Sequence, residues 1–175
     1  MEKKALLVKG TPKKKEKQED FDRWNNEKLS LMEEIALNQG YSVQESDWSS
    51  LPDVIQSGGN PDYFLLYYTG HAGRGNIGSL KHPSNYFMDL LKDFTGRKII
   101  VLDACVGDNG DRNISELHLY PNSLLLTSDK VYEHRNLARL LWDYVFAYKQ
   151  PIESIDRNTF KNKGHSWVEV RERKA

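Results

Sequence analysis

DYFLLYYT, residues 62–69, is followed at once by Gly70-His71-Ala72-Gly73. Six of its eight residues are aromatic or leucine, and glycine breaks the run. Such a run bounded by a breaker predicts a strand covered on both faces, because a half-exposed strand would alternate with polar residues. KIIVL, residues 98–102, repeats the pattern and runs into Asp103-Ala104-Cys105-Val106-Gly107. SLLLT, residues 123–127, is a third run of this kind, and ALLV, residues 5–8, opens the series before Gly10 and Pro12. Continuous apolar strands of this sort belong to parallel sheets with helices on both sides.

The segments between the strands support that architecture. Over residues 21–38 the apolar positions Trp24, Leu29, Leu31, Met32, Ile35 and Ala36 fall at helical spacing, and Asn38-Gln39-Gly40 supplies a stop. Shorter helices are expected over 51–55 and 85–94, and a strongly apolar one over 137–148 (LARLLWDYVFAY). Residues 41–43 and the alternating tail at 166–170 (SWVEV) read as further strands, the last at a sheet edge. The lysine-rich stretch 13–20 reads as a solvated loop. The expectation is one α/β domain spanning 1–175, a three-layer sandwich with a mostly parallel sheet.

Composition narrows the function. The 175 residues carry 25 Lys+Arg and 25 Asp+Glu, a balance that gives no electrostatic reason for a nucleic acid or membrane partner. No apolar run approaches the ~18 residues of a membrane span. The opening MEKKALLV lacks the apolar length of a signal peptide. A single cysteine excludes an internal disulfide and a thiolate-rich zinc site, so a cytoplasmic setting and no metal are expected. The other histidines, at 82, 118, 134 and 165, show no ligand spacing, and Gly73–Gly78 does not open a helix as a nucleotide fingerprint would. That glycine-rich stretch reads as a flexible loop, and no cofactor is expected. Trp24, Trp48, Trp142 and Trp167 read as core or interface residues.

Function in open α/β sheets gathers at the carboxyl ends of strands. Two such ends carry reactive side chains here: His71 after residues 62–69 and Cys105 after residues 98–102. If the two strands are parallel neighbours, a thiol and an imidazole reach one edge. Thiolate is the attacking species, and a nearby imidazole can take the thiol proton and later protonate a leaving amine. Glycines around both residues let backbone N–H groups approach a developing oxyanion.

At these residues the chain resembles the caspase-like (clan CD) cysteine peptidases. Tyr67-Tyr68-Thr69-Gly70-His71 and Val101-Leu102-Asp103-Ala104-Cys105 carry the resemblance, which is closest in motif to metacaspase-type members. It implies Cys105 as nucleophile and His71 as acid and base. The oxyanion hole would come from the backbone N–H groups of Cys105 and of Ala72 or Gly73. Asp103, two residues before the cysteine, would line the S1 pocket with Asp129 as a second candidate, so cleavage after Arg or Lys is expected, with a protein or peptide as substrate. Lys13, Lys14, Lys15 and Arg112 would then be self-cleavage points. Two departures stand against the family pattern. The family reads Gly-His-Gly where this chain reads Gly70-His71-Ala72-Gly73, and only about 33 residues separate the histidine from the cysteine. They favour an alternative, a weak or inactive caspase-like module that binds partners, and leave room for an activating partner protein. A flavodoxin-like ligand-binding domain is a third reading, for which Gly10-Thr11-Pro12-Lys13 is a poor phosphate loop.

Overall fold

A computed structural model describes residues 1–73, 76–77, 82–83, 85–104, 117–128, 136–161, 165 and 167–175. Six strands form one sheet: β1 (Lys3–Lys9), β2 (Ser42–Ser46), β3 (Tyr63–Thr69), β7 (Arg97–Asp103), β8 (Ser123–Ser128) and β9 (Val168–Arg173), in the spatial order β2-β1-β3-β7-β8-β9. All neighbours are parallel except β8 and β9, which run antiparallel at one edge. Three two-residue strands, β4 (Ala72–Gly73), β5 (Asn76–Ile77) and β6 (His82–Pro83), make a separate antiparallel sheet directly after His71. The flexible loop expected over 73–78 is therefore built, where described, on a short ladder.

The double coverage expected of the sheet follows from strand periodicity. Successive side chains point to opposite faces. Leu65, Tyr67, Ile99, Val101, Leu124 and Leu126 join one core, closed by α1 (Gln18–Asn38) and α4 (Leu137–Trp142). Phe64, Leu66, Tyr68, Ile100, Leu102 and Leu125 join the other, closed by α2 (Leu51–Ser57) and α3 (Tyr86–Leu90). The result is a three-layer α/β sandwich with a mostly parallel sheet.

Boundaries moved for local reasons. Helix α1 begins at Gln18, three residues before its first apolar anchor Phe21, with Glu19 and Asp20 in its first turn, where the helix dipole favours acids. The helix of residues 137–148 is α only to Trp142 and continues as a π-helical turn over Asp143–Ala147. Strand β9 sits later than expected because its ladder with β8 runs from Val168 to Arg173, and its arginines Arg171 and Arg173 donate further to the carbonyls of Leu117 and Leu119. Trp48 is buried against Tyr68 and Phe87, as expected of core. Trp24, in contrast, is 59% exposed, while the buried positions of α1 are Phe21, Asn25, Leu29, Met32, Ile35 and Ala36.

Gly96, between α3 and β7, admits no side chain. A Cβ there would stand 2.7 Å from the carbonyl oxygen of Asp62, an atom of the backbone that cannot swing aside. Gly96→Ala is expected to cost about 1–3 kcal/mol through forced backbone shifts, read as a lowered denaturation midpoint at unchanged m-value.

Candidate active site

The register of the two central strands sets the geometry. Along β3 and β7 the paired positions end at Thr69 opposite Asp103. His71 follows Thr69 by two residues, and Cys105 follows Asp103 by two. Cys105 and Asp129 lie outside the described residues, as does Arg112. The described part of the site is thus its histidine half and the two strand tips.

Sharp turning of the chain at Gly70 brings His71 off the sheet. Gly70 has φ +152°, and a Cβ on it would stand 2.7 Å from the Tyr68 hydroxyl and 3.1 Å from Gly10 Cα. That crowding has a purpose visible in the contacts. The Tyr68 hydroxyl fills the space between Gly10 and Gly70 and donates to the carbonyl of His71 at 2.7 Å. The Gly10 amide donates to the carbonyl of Thr69 at 2.9 Å. Thr69 itself donates to the Asn25 side chain at 2.6 Å, and Asn25 donates back to the carbonyl of Phe21 at 2.7 Å, so α1 is tied to the tip of β3. Gly70→Ala is expected to disturb this turn: stability falls by about 1–3 kcal/mol and His71 is displaced with it. Thermal unfolding and the His71 ring resonances check both effects.

The imidazole is half-buried. It packs 5.6 Å from the Phe21 ring, and its Nε2 lies 2.7 Å from Oε1 of Glu16. The hydrogen bond with His71 holds the Glu16 carboxyl below its ordinary value of 4.5, against a smaller opposing effect of burial. A carboxyl lowered on folding contributes stability that is fully present above the ordinary value and lost as pH falls through the lower, folded one. The Glu16–His71 contact therefore persists at neutral and mildly acidic pH. Glu16 was not among the site residues expected from sequence. Its one signal there is being the single acid in the cationic run Lys13-Lys14-Lys15-Glu16-Lys17.

Asp103 sits at the tip of β7 on the α1/α4 side and is 3% exposed. Its Oδ2 accepts from the Tyr67 hydroxyl at 2.6 Å and from the amide of Ala138, in the first turn of α4, at 3.2 Å. Its Oδ1 faces the Lys28 ammonium at 3.6 Å. Burial, and next the charge of Asp103, push the Tyr67 hydroxyl well above the ordinary tyrosine value, so it remains a donor at every physiological pH. The carboxylate expected in a pocket is, in the described residues, the centre of a buried tie between β3, β7, α1 and α4.

Ala72 and Gly73, the expected oxyanion donors beside the cysteine amide, are the two residues of β4. They pair with Ile77 and Asn76. Lys13, Lys14 and Lys15 are exposed in the loop that carries Glu16. Among the described residues no group of three His, Cys, Asp or Glu side chains could hold a metal, and no helix is long and apolar enough to cross a membrane. An open concavity of about 810 Å³ lies at the opposite, amino-terminal edge of the strands around Asp62 and Arg97. Another, about 620 Å³, opens at the carboxyl ends of β1 and β2 beside Lys9, Gly10 and Asp47, on the same edge as His71.

The sequence matches no protein-family model and none of the curated proteins compared with it. Its fold does match solved structures. One is described as the structure of pro-sf-caspase-1: TM-score 0.56, 13% identity, covering 83% of this chain and 73% of that one. A second is the crystal structure of caspase-1 from Spodoptera frugiperda: TM-score 0.56, 15% identity, covering 81% and 68% of the two chains. At that identity the likeness is one of fold, and the chain has the caspase-like α/β sandwich.

Proposed function

We propose that the chain is a cysteine endopeptidase that uses His71 and Cys105 as a dyad and cuts after Arg or Lys. The carrying observation is the register of β3 and β7. Thr69 and Asp103 are paired neighbours, and the imidazole and the thiol each come two residues later. Adjacent strands are ~4.8 Å apart, so equal offsets from a paired position suit a nucleophile and its base. The caspase-like fold, which the solved structures match over 81–83% of the chain, supports the same assignment.

In this reading the thiol of Cys105 loses its proton to His71, the sulfur attacks the scissile carbonyl, and the histidine returns the proton to the leaving amine. Backbone N–H groups of Cys105 and of Ala72 or Gly73 face the oxyanion. Asp103, with Asp129, supplies the preference for a basic side chain. Oδ2 of Asp103 is occupied by Tyr67 and Ala138, so an arriving guanidinium or ammonium competes with Lys28 for Oδ1. Incubation with fluorogenic peptides ending in Arg, Lys, Asp or Leu tests the reading. Turnover confined to the first two supports it, and a preference for Asp or Leu would remove the role given to Asp103.

A second reading is a caspase-like module that binds without cutting. The observation favouring it is the ladder of β4 with β5, which engages the chain right after His71. It predicts that the thiol reacts with iodoacetamide no faster than free cysteine.

A further inference from the structure

His71 is held at three points. Tyr68 fixes its carbonyl, the Phe21 ring packs against its ring, and Glu16 meets its Nε2 at 2.7 Å. The third contact has the most chemical content. An ionised carboxylate only accepts hydrogen bonds, and a neutral imidazole has one N–H and one lone pair. With Glu16 on Nε2, the neutral ring keeps its proton there and leaves the lone pair on Nδ1.

Glu16 is itself built in. The amide of Lys13 donates to Oε1 of Glu16 at 3.2 Å, and the amide of Glu16 donates to the carbonyl of Lys13 at 2.9 Å. These two bonds close the loop after β1 into a turn that presents the carboxylate to the ring. The neighbouring Lys13, Lys14, Lys15 and Lys17 are exposed and point their charge to solvent, so the one acid of the run is the side chain turned inward. The lysines also make the turn cationic, which favours an ionised partner within it.

We infer that Glu16 is a positioning residue for His71, fixing the tautomer and ring plane so that Nδ1 is the nitrogen left for the thiol. In the cycle, the thiol proton passes to Nδ1 and the ring becomes a cation with both nitrogens protonated. Its Nε2–H then keeps its hydrogen bond to the ionised carboxylate, now a charge-assisted one. The S–C bond forms as the carbonyl π pair moves onto oxygen; that pair then returns, the C–N bond breaks, and the Nδ1 proton leaves with the amine. Water then hydrolyses the thioester and restores the thiol. Glu16 stays ionised throughout and exchanges no proton. The catalytic consequence rests on the dyad proposed above; the hold on the ring does not.

The test uses the full chain with Glu16→Ala and Glu16→Asp, and His71→Ala as reference. ¹⁵N-labelled imidazole spectra of the wild type are expected to show His71 as a single Nε2–H tautomer, turning to a mixture in Glu16→Ala. On an Arg-terminated peptide, kcat of Glu16→Ala is expected to fall about 10- to 100-fold with KM within about twofold, the range of a weakened acid–base group, and Glu16→Asp to recover part of it. Glu16 lies in a partly exposed loop, so both variants fold, which circular dichroism verifies. An unchanged tautomer would overturn the inference. So would a rise in kcat, which would make the contact a latch. If the wild type cuts no peptide, the peptidase reading fails, and the tautomer comparison still decides whether Glu16 sets the ring.

Discussion

Cys105→Ala is expected to abolish cleavage of Arg- and Lys-terminated peptides, with a loss of about ten-thousand-fold or more, because the chain has no second thiol to form the thioester. The chain contains one cysteine, which makes the experiment unusually clean. Any thiol-directed inhibitor acts at that residue or not at all, and the mass shift on alkylation reports a single site. His71→Ala is expected to reduce kcat nearly as far, and the double variant to be no worse than either alone, as befits groups that act as one unit. Additive losses would mean that the two residues work separately. Equal turnover by Cys105→Ala and wild type would end the peptidase reading, leaving the fold without its proposed chemistry.

The second large effect is on folding. Asp103→Ala leaves the Tyr67 hydroxyl and the Ala138 amide without their buried acceptor and Lys28 without its counter-charge. Unsatisfied buried donors cost more than the bonds themselves were worth, so the loss is expected at about 2–4 kcal/mol. In a chain of this size that is roughly 5–15 °C in Tm, readable by calorimetry. Asp103→Asn separates the two roles given to this residue. The amide keeps an acceptor for Tyr67 and Ala138 at nearly the same shape, yet removes the charge. It is expected to restore most of the stability while Arg and Lys peptides lose their advantage over neutral ones. If Asp103→Asn folds well and still prefers basic peptides, the preference lies elsewhere. Tyr67→Phe gives the complementary check on stability: it removes one donor, leaves the carboxylate with Ala138 and Lys28, and is expected to cost only about 1 kcal/mol.

Much of the architecture could be read before any coordinates because it depends on local pattern. The runs 62–69, 98–102 and 123–127 are apolar on both sides of the strand, and each became a strand covered on both faces. The helix expected over 85–94 spans Tyr86–Leu90, and the parallel pairing of β3 with β7, a condition of the sequence reading, is met. What stayed hidden depends on partners far along the chain. Glu16 meets His71 across 55 positions, through a turn closed by its own backbone, and a lysine-rich stretch offers no period that would single it out. The resemblance places Asp103 in a pocket and says nothing of the partners that bury it. Its burial is set by Tyr67 and Ala138, 36 and 35 positions away. The ladder of β4, β5 and β6 has strands of two residues, too short for any alternation to show. Helical spacing alone does not separate Trp24 from the buried positions of α1, which are Phe21, Asn25, Leu29, Met32, Ile35 and Ala36.

The tie at Asp103 also bears on the order in which the molecule can be finished. The three strands that surround the site, β1, β3 and β7, are all synthesised within the first 103 residues. They leave the ribosome before α4 does, although a single domain generally folds as a unit. The donor that completes the Asp103 carboxylate belongs to Ala138, so a nascent chain of that length holds strands at the future cleft around an acid that lacks one of its partners. Only when the first turn of α4 emerges and docks on the face of the sheet that carries Asp103 is that deficit removed.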